Sequence, residues 1–398
     1  MNKCAPVLEG VRVLDLSQYM AGPYCTALLA DMGAEVIRIE MPGGAGDREQ
    51  GPSVSGQNLR FWLVSRNKKG ITLNISLVEG KQLFHKLVKQ SDILVNSYIL
   101  PVKKKLGLSY EEMKQVNPGI IQVDISGFGD SGPDADRLCF DHLAQAESGA
   151  MSYAGFEGNP PVRWPISWID MSTGLEGAYG AVLALLHRGK TGHGQRIEVS
   201  LFHTAMAGVS FVGHTVAYKV LGEVRRQMGN AGYYTFSNVF SAKDGMVFLD
   251  ATTDRLWQKF TEIIGRPELA QDPRFGDDTL RYQNRDLLIP VVQQWVGERT
   301  VAEVCQVMRE SRLPYGRVNS IVDVMDDPRI EIQQLFVNLD VPGPVTVPHP
   351  RIPLTLSETP PEILSVAPQA GQHNEQVYCD ILGLSKDELN NLIDKKVI

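Results

Sequence analysis

The sequence predicts an α/β fold, with a Rossmann-like, doubly wound sheet in a large domain and a smaller, mainly helical α+β domain. Strand-like and helix-like segments alternate over the first 130 residues, which is typical of a parallel sheet covered by helices. Beyond about residue 222 helical segments dominate. We therefore predict a large domain over 1–221, a small domain over 222–325, and a linker with a C-terminal return to the large domain over 326–398.

The first elements form a βαβ unit, in which two parallel strands are joined through a helix. Apolar runs predict strands at Val11–Leu16 and Glu35–Glu40, with a helix at Tyr24–Asp31 between them. The alternation then continues along the chain. Its further members are strands Gly70–Ile75, Ser91–Asn96 and Ile120–Ile125, and helices Glu79–Gln90 and Tyr110–Val116.

One carboxylate in the middle of the chain is a candidate functional group. Asp170 follows an apolar, β-prone run at 166–169 and precedes small polar residues, a glycine and a helix predicted over Leu175–Leu186. It is therefore expected where a strand or loop enters a helix N-terminus, whose amide groups and dipole stabilise negative charge. The local sequence leaves two interpretations open. Asp170 is either an N-cap without a chemical role, because aspartate is a favoured cap, or a catalytic carboxylate.

The remaining elements are mostly helical. A strand at Gln195–Ser200 and a helix at Leu201–Val212 complete the first part of the large domain. In the small domain we predict one strand and no convincing strand between the helices after it. The elements are strand Val247–Ala251 and helices Arg255–Ile264, Arg285–Trp295 and Val301–Arg312. The proline-rich stretch 342–356 is expected to be an extended connector, and 374–398 to form two helices.

Composition limits the classes of function. The net charge of −7 and the absence of a long basic block do not indicate nucleic-acid binding. No apolar run approaches the length that a membrane helix needs, and residues 1–10 lack a signal-peptide pattern, so we expect a cytoplasmic protein that does not bind membranes. The five cysteines are scattered without a CxxC pair, so neither a disulfide framework nor a metal site is expected.

Two glycine motifs resemble nucleotide-binding loops. Gly127–Gly132 matches the spacing G-x-G-x-x-G after a strand, but Pro133 and a polar run follow where the fingerprint needs a helix. Gly189-Lys190-Thr191 lacks the earlier glycine of a P-loop and ends a helix rather than starting one. We therefore expect neither a dinucleotide nor an NTP site.

Five segments together resemble the class III CoA transferases, the CaiB/BaiF-type relatives of formyl-CoA and carnitine CoA transferases. The segments are Leu8–Leu16 with Ala21–Pro23, Leu29–Glu40 with Gly46–Asp47, Asn67–Asn74, Ser126–Gly129 with Gly132–Pro133, and Thr191–Leu201. This resemblance implies that the Ser-Gly-Phe-Gly segment is a family feature rather than a nucleotide site. It also implies an interlocked homodimer, in which each chain is threaded through the other.

The resemblance implies a catalytic role for Asp170. In the family, the matching aspartate attacks an acyl-CoA thioester and forms a mixed anhydride. The released CoA thiolate then attacks the aspartyl carbonyl to give an aspartyl-CoA thioester. A small carboxylic acid reverses these steps and leaves as its own CoA ester. Coenzyme A and acyl-CoA are thus the implied substrates, with no metal.

The resemblance also implies a CoA site. Four positions of this chain match the family's CoA contacts, namely Leu73, Ser97, Tyr98 and Lys105, and Asn96 is adjacent to them. Arg38 and Arg48 are further candidates for contacts with the CoA phosphates. The chain departs from the formyl-CoA enzymes at Met20, where they have a glutamine, and at the short glycine loop 229–232, where they have a longer one. These departures argue against oxalate or formate as the substrate.

Two alternatives to a CoA transferase remain. The α-methylacyl-CoA racemases of the same superfamily use a histidine and an aspartate as paired bases. Their histidine would fall at Phe140, which cannot move a proton, and His142 is displaced by two positions. The second alternative is a CoA-binding protein without catalysis.

Overall fold

The chain folds into two compact units in a computed structural model that describes residues 4–232 and 235–398. One unit contains residues 4–151, Arg163–Glu223 and Gln333–Ile398. The other contains Ser152–Val162 and the described part of 224–332. Residues 152–162, which the sequence analysis placed within the large domain, thus pack with the second unit.

The first unit is built on a six-stranded parallel sheet, as predicted. Its strands in chain order are β1 (Arg12–Asp15), β2 (Glu35–Glu40), β3 (Lys68–Thr72), β4 (Ile93–Asn96), β5 (Ile121–Ser126) and β6 (Arg196–Ser200). In space the order is β3-β2-β1-β4-β5-β6. The order reverses between β1 and β4. In such a sheet ligands bind beyond the carboxyl ends of the strands at this reversal.

Helices cover both faces of the sheet. Those of residues 4–223 are α1 (Ala21–Asp31), α2 (Leu59–Val64), α3 (Val78–Lys89), α4 (Leu100–Leu106), α5 (Tyr110–Val116), α6 (Asp141–Glu147), α7 (Ala150–Tyr153), α8 (Trp168–Thr191), α9 (Leu201–Phe211) and α10 (His214–Val216). A short π-helical turn at Ala217–Leu221 and a small hairpin, Ser53–Val54 with Gln57–Asn58, complete this part. None of the helices in the described residues combines the length and apolar character that a bilayer crossing requires.

Two hydrophobic clusters hold these layers together. Val13, Val95 and Val123 point to the face covered by α1, α8 and α9. Leu14 and Leu94 point to the opposite face, covered by α3, α5 and the C-terminal segments. Because neighbouring residues of a strand point to opposite faces, strands buried on both sides read as continuous apolar runs. This is why their positions could be predicted to within a few residues.

The second unit contains a three-stranded antiparallel sheet and a layer of helices. Its strands, β7 (Ser237–Ala242), β8 (Gly245–Asp250) and β9 (Tyr315–Arg317), are arranged in the order β9-β8-β7. The helices are α11 (Asp254–Ile263), α12 (Asp278–Gln283), α13 (Arg285–Gly297), α14 (Val301–Glu310), α15 (Ile321–Met325) and α16 (Pro328–Ile332). Trp257 and Phe260 lie in its core, and the Trp257 ring lies 5.5 Å from that of Phe236. Neither β7 nor β9 was predicted from the sequence.

The prediction of an extended, proline-rich connector at 342–356 is wrong in part. The chain forms a hairpin there, in which β10 (Phe336–Val341) pairs with β11 (Val345–Pro350). Pro348 and Pro350 lie in β11 itself. A proline lacks the amide proton that a central strand must donate, but each strand of a two-stranded hairpin is an edge. A π-helical turn at Gln376–Ile381 and a helix at Lys386–Asp394 end the chain.

Candidate active site

Asp170 lies in the first turn of α8, two residues after the helix begins at Trp168. A strand or loop was expected to enter a helix near Asp170, and a loop does precede α8, but the helix begins at Trp168 rather than at the predicted Leu175. The chain after β5 crosses over and returns through α8 to β6, so α8 runs opposite to the parallel strands. Its N-terminus therefore lies at the carboxyl edge of the sheet, where α/β proteins bind their ligands.

The amide groups at this helix N-terminus are bound by a second aspartate. The N–H groups of Ile169 and Asp170 donate to Oδ2 of Asp141, over 2.8 and 3.1 Å. Ser167, at the N-cap position, makes no side-chain cap. The expectation that free helix amides stabilise a charged Asp170 is therefore wrong, because Asp141 of α6 accepts them instead.

Asp141 is in turn held by a buried glutamine. Nε2 of Gln145 donates to Oδ1 of Asp141 over 2.5 Å, and Oε1 of Gln145 accepts the N–H of Trp164 over 2.9 Å. Asp141 and Gln145 are both buried. These contacts tie α6 to the chain that leads into α8, so Asp141 has little freedom to turn away from Asp170.

Burial and this neighbour change the acidity of Asp170. Loss of contact with water, and then the like charge of Asp141, raise the pKa of Asp170 to about 7, while the positive charge of Arg60 opposes the change. Burial favours the neutral carboxyl group, and a nearby negative charge acts in the same direction. Asp170 thus titrates near neutral pH, which is common at catalytic positions.

Glycines along α8 fix the position of its backbone. A Cβ on Gly174 would lie 2.5 Å from the carbonyl oxygen of Ala21 in α1, and one on Gly180 would lie 2.9 Å from Ile197 in β6. Both distances are too short for a side chain. The absence of a side chain at Gly174 thus allows α8 to pack closely on α1.

The loop after β1 reaches the same region. Tyr19 has a positive φ of 69°, and its N–H donates to Oδ2 of Asp47 over 2.9 Å. Its ring meets the ring of Phe140 edge-on, with centroids 5.4 Å apart. Phe140 directly precedes Asp141, so these aromatic rings lie beside the Asp141–Asp170 pair. His142 stacks on Phe140 at 6.1 Å.

Arg38 is buried in an ionic cluster beneath this loop. Its guanidinium bonds to Glu40 over 2.6 Å and to both oxygens of Asp47 over 2.8 Å, and a further N–H faces the carbonyl of Ser17. Arg48 is likewise held by Glu40, over 2.7 Å. Only 1% of Arg38 is exposed, so its donors are directed at the protein rather than at a ligand phosphate.

The other predicted CoA residues lie at the carboxyl ends of neighbouring strands. Asn96 ends β4 and donates to Asp124 over 2.6 Å, and Ser97 Oγ accepts the N–H of Gln18 over 3.0 Å. Leu73, just after β3, is buried, and Tyr98 is partly buried. The fold thus brings these four residues together at one edge of the sheet, although they come from distant parts of the sequence.

A groove of about 440 Å³ lies next to this edge. It is lined by α4 and by the loop after the Ser126–Gly129 segment. The lining residues are Leu100, Pro101, Lys104, Gly132, Pro133, Ala135 and Asp136. The exposed Lys105 is not among them, and its neighbour Lys104 takes that place.

Sequence reasoning missed two residues around Asp170. Asp141 was noted only as the neighbour of Phe140, and Arg60 was not noted. Neither belongs to a motif, and both act on Asp170 through contacts or charge across the fold. A buried aspartate at the start of a helix is indistinguishable from an ordinary cap until its partner is known.

Comparison with known proteins identifies the class. Residues 8–374 match the model of CoA-transferase family III. The chain is 33% identical over 395 residues to succinyl-CoA–D-citramalate CoA-transferase of Chloroflexus aurantiacus, with 98% of each chain covered. It is 32% identical to human succinyl-CoA:glutarate CoA-transferase, covering 100% of this chain and 91% of that one. It is 31% identical to formyl-CoA:oxalate CoA-transferase of Streptomyces coelicolor, covering 99% and 100%.

Solved structures agree with this assignment. A CAIB/BAIF family protein from Brucella suis superposes with a TM-score of 0.82 at 28% identity, covering 95% of this chain and all of the other. A hypothetical protein from Mycobacterium tuberculosis gives a TM-score of 0.83 at 26% identity, covering 94% and 99%. The resemblance found in the sequence is confirmed: the chain belongs to CoA-transferase family III and is an enzyme of that class.

Proposed function

We propose that this enzyme moves CoA from an acyl-CoA to a carboxylic acid through covalent bonds to Asp170. The observation that supports this most is the environment of that side chain. Asp170 is enclosed at the carboxyl edge of the sheet beside a second carboxylate, and burial and Asp141 raise its pKa to about 7. A surface aspartate that merely capped its helix would keep an acidic pKa.

The reaction proceeds in four bond exchanges. The Asp170 carboxylate attacks the thioester carbonyl, and CoA thiolate leaves as an acyl-aspartyl anhydride forms. The thiolate attacks the aspartyl carbonyl and releases the first acid, which leaves an aspartyl-CoA thioester. The carboxylate of the second acid attacks that thioester, giving a new anhydride and CoA thiolate. The thiolate then attacks the acyl carbonyl of the second acid, and Asp170 is regenerated.

The raised pKa of Asp170 suits this role. A carboxylate of higher basicity is a stronger nucleophile once it is ionised, and at neutral pH about half of a group with a pKa near 7 is ionised. The negative charge of Asp141 opposes the formation of a negatively charged thiolate nearby. Asp141 also holds the α8 backbone through two amide groups, and the side chain of Asp170 is left free to react.

The names of related enzymes indicate which acids to assay first. Two of those reported above use succinyl-CoA, with citramalate or glutarate as the second acid. Succinate, citramalate and glutarate all carry two carboxylates. We propose succinyl-CoA as the donor and a dicarboxylic acid as the acceptor of this enzyme as well.

We place CoA along the carboxyl edge, with its acyl end at Asp170. Ser97 and Tyr98 lie where the strand order reverses, and the adjoining groove offers Lys104 for a phosphate and Pro101 for an apolar contact. Lys105 is exposed in the same helix and is a further candidate for a phosphate. Leu73 and Asn96 shape the floor beneath them, and the Arg38 cluster supports the loop at Tyr19 from below.

We further propose a homodimer, interlocked as in the family. Its support here is an apolar face on α8, where Leu175, Tyr179 and Leu186 are each more than half exposed. Exposed apolar side chains that recur along one helix are typical of an interface. Light scattering after gel filtration gives the mass in solution; a monomer would contradict this proposal without affecting the one on catalysis.

The test of the mechanism is a covalent adduct. The enzyme is incubated with succinyl-CoA, quenched with hydroxylamine and digested, and the peptide with Asp170 is expected to gain the mass of a hydroxamate. The Asp170→Asn variant is expected to lose turnover by at least about 10⁴-fold while still binding CoA. Normal turnover by the Asp170→Asn variant would contradict the proposed mechanism. Exchange of an α-proton for deuterium without an acceptor acid would indicate a racemase instead.

A further inference from the structure

Three arginines lie in the part of the chain that supports the Tyr19 loop, and only one of them has its guanidinium available. Arg38 and Arg48 are buried and bound to carboxylates. Arg60 is the second residue of α2, and its side chain is exposed. Throughout residues 4–232 and 235–398, no hydrogen bond or ion pair joins Arg60 to another side chain.

A short series of contacts leads from α2 to Asp170. Asn58, which precedes α2, accepts the N–H of Phe61 over 2.8 Å and donates to the backbone carbonyl of Asp47. The Asp47 carboxylate binds the N–H of Tyr19, whose ring packs on Phe140. Asp141 follows Phe140 directly and binds the amide of Asp170. Arg60 and Asp170 thus lie at the two ends of one connected group of residues.

Arg60 and Asp170 interact through space without touching. The positive charge of Arg60 lowers the pKa of Asp170, against burial and Asp141, yet in the described part of the chain the two side chains form no ion pair. A negative nucleophile and an available positive group in one connected part of the fold suit a substrate that has an acyl carbon at one end and a negative group at the other. An arginine binds such a group through two parallel hydrogen bonds when that group is a carboxylate.

The relay through one aspartate adds a second constraint. Donor acid and acceptor acid both form an anhydride with the same carboxylate, so both must place the rest of their carbon chain in the same pocket. A cation in that pocket therefore acts on both substrates. It favours acids that carry a second negative charge, because a monocarboxylic acid would cover the guanidinium without giving it a hydrogen-bond partner.

We propose that Arg60 binds the distal carboxylate of the acyl group, in the donor and in the acceptor alike, and thereby selects dicarboxylic over monocarboxylic acids. This inference rests on the proposed transfer through Asp170 and names the residue that chooses its substrates. Arg60 does not take part in bond making.

The test compares matched substrate pairs in three variants. Succinyl-CoA and butyryl-CoA differ only in the distal carboxylate, as do glutarate and pentanoate. For Arg60→Gln, kcat/KM is expected to fall about 10- to 100-fold with succinyl-CoA and with glutarate, and to change less than about threefold with butyryl-CoA and pentanoate. Arg60→Lys keeps the charge but not the paired hydrogen bonds, so a smaller loss is expected. Lys89→Gln removes an exposed charge from α3, on the other face of the sheet, and serves as the control.

The assays are run at pH 8.5, because removal of Arg60 also takes away an influence that lowers the pKa of Asp170. That pH lies above the pKa of about 7 that Asp170 has in the parent, so the loss of Arg60 affects the ionisation of Asp170 least there. An equal loss of kcat/KM with dicarboxylic and monocarboxylic substrates would overturn the inference. It would mean that Arg60 acts on the charge of Asp170 or binds CoA. Efficient transfer by the parent without any preference for dicarboxylic acids would also overturn it, and would leave the proposed function standing. No transfer and no Asp170 adduct with any acid would instead refute the proposed function.

Discussion

A fully buried and a partly buried aspartate of the same unit show how neighbours decide what a carboxylate does. Asp15 ends β1 and is fully buried, yet its oxygens bind Lys68 over 2.9 Å, Thr26 over 2.7 Å and the N–H of Ser17 over 2.9 Å. Burial alone would raise the pKa of Asp15, but Lys68, Arg38 and the two hydroxyl groups lower it below its usual range. Asp15 is therefore a charged structural residue.

Asp170 has the opposite environment. Its nearest charged neighbour in the site is another carboxylate, and burial with Asp141 raises its pKa to about 7. It also has no bound cation among the described residues, since Arg60 remains at a distance. Burial by itself therefore does not identify a candidate catalytic aspartate. Asp170 differs from Asp15 because no cationic side chain pairs with its carboxylate among the described residues.

The largest expected effect is a loss of stability at Asp15, whose buried charge is paired with Lys68. Lys68→Met leaves the charge of Asp15 buried without its ammonium partner, and we expect a loss of about 3 to 5 kcal/mol in the free energy of unfolding. The double variant Asp15→Asn with Lys68→Met removes both charges and is expected to recover part of that loss. Urea unfolding followed by circular dichroism measures both. A single-variant loss below about 1 kcal/mol would mean that Asp15 does not depend on Lys68.

A smaller effect of the opposite sign is expected at Asp170. The pKa of about 7 in the folded protein lies above the ordinary value of 3.8. Between pH 4 and 7 the folded protein therefore holds a proton that the unfolded chain has released, so this contribution to stability falls as pH rises. Asp170→Asn should thus be more stable than the parent at pH 8 by about 1 to 3 kcal/mol, with little difference at pH 4.

Urea unfolding at both pH values tests this, with Asp15→Asn as the contrasting variant. Because the pKa of Asp15 is lowered on folding, that variant should be less stable than the parent at pH 8. Destabilisation by both substitutions at pH 8 would contradict the distinction between the two sites.

The smallest expected effect is a shift in the pH dependence of kcat/KM, which separates the contribution of Asp141 to the pKa of Asp170 from that of burial. Asp141→Asn removes the like charge that contributes to the raised pKa of Asp170, while the amide oxygen can still accept a helix N–H. The rise of kcat/KM with pH should then move to lower pH by about one unit, from a midpoint near 7. Rates with succinyl-CoA between pH 5 and 9 measure it, and Asp387→Asn, in the exposed C-terminal helix, is the control. An unshifted profile would assign the raised pKa to burial alone.

The sequence predicted the sheet well, because its strands are buried on both faces and appear as apolar runs. Glu35–Glu40 and Tyr110–Val116 were predicted at their observed bounds. The strand β7 and the hairpin of β10 and β11 were missed. Strand β7 contains polar residues between its apolar ones, so it does not appear as an apolar run. In the hairpin, Pro348 and Pro350 favoured the prediction of an extended connector rather than a paired strand.

The site was predicted less completely. Asp170 was predicted to be catalytic only through the family resemblance, since its local pattern fits an ordinary cap. Its partner Asp141 lies 29 positions earlier in the chain, and nothing in the local sequence couples the two. The charge of Arg38 indicated a phosphate contact, but the carboxylates that enclose it come from residues 40 and 47 and are recognisable only after folding. Sequence patterns report which faces are apolar, but not which charges meet.

The close packing at Gly174 has a consequence for how this family changes its substrates. Because α8 rests there directly on the backbone of α1, Asp170, the proposed nucleophile, is positioned by main-chain contact rather than by the side chains around it. Arg60 comes from a different segment, the short helix α2. Under the proposed roles of Arg60 and Asp170, replacing residues of α2 changes the preferred acid without moving the Asp170 carboxylate. The bond-making apparatus and the choice of acid are thus open to separate evolution, and to separate engineering.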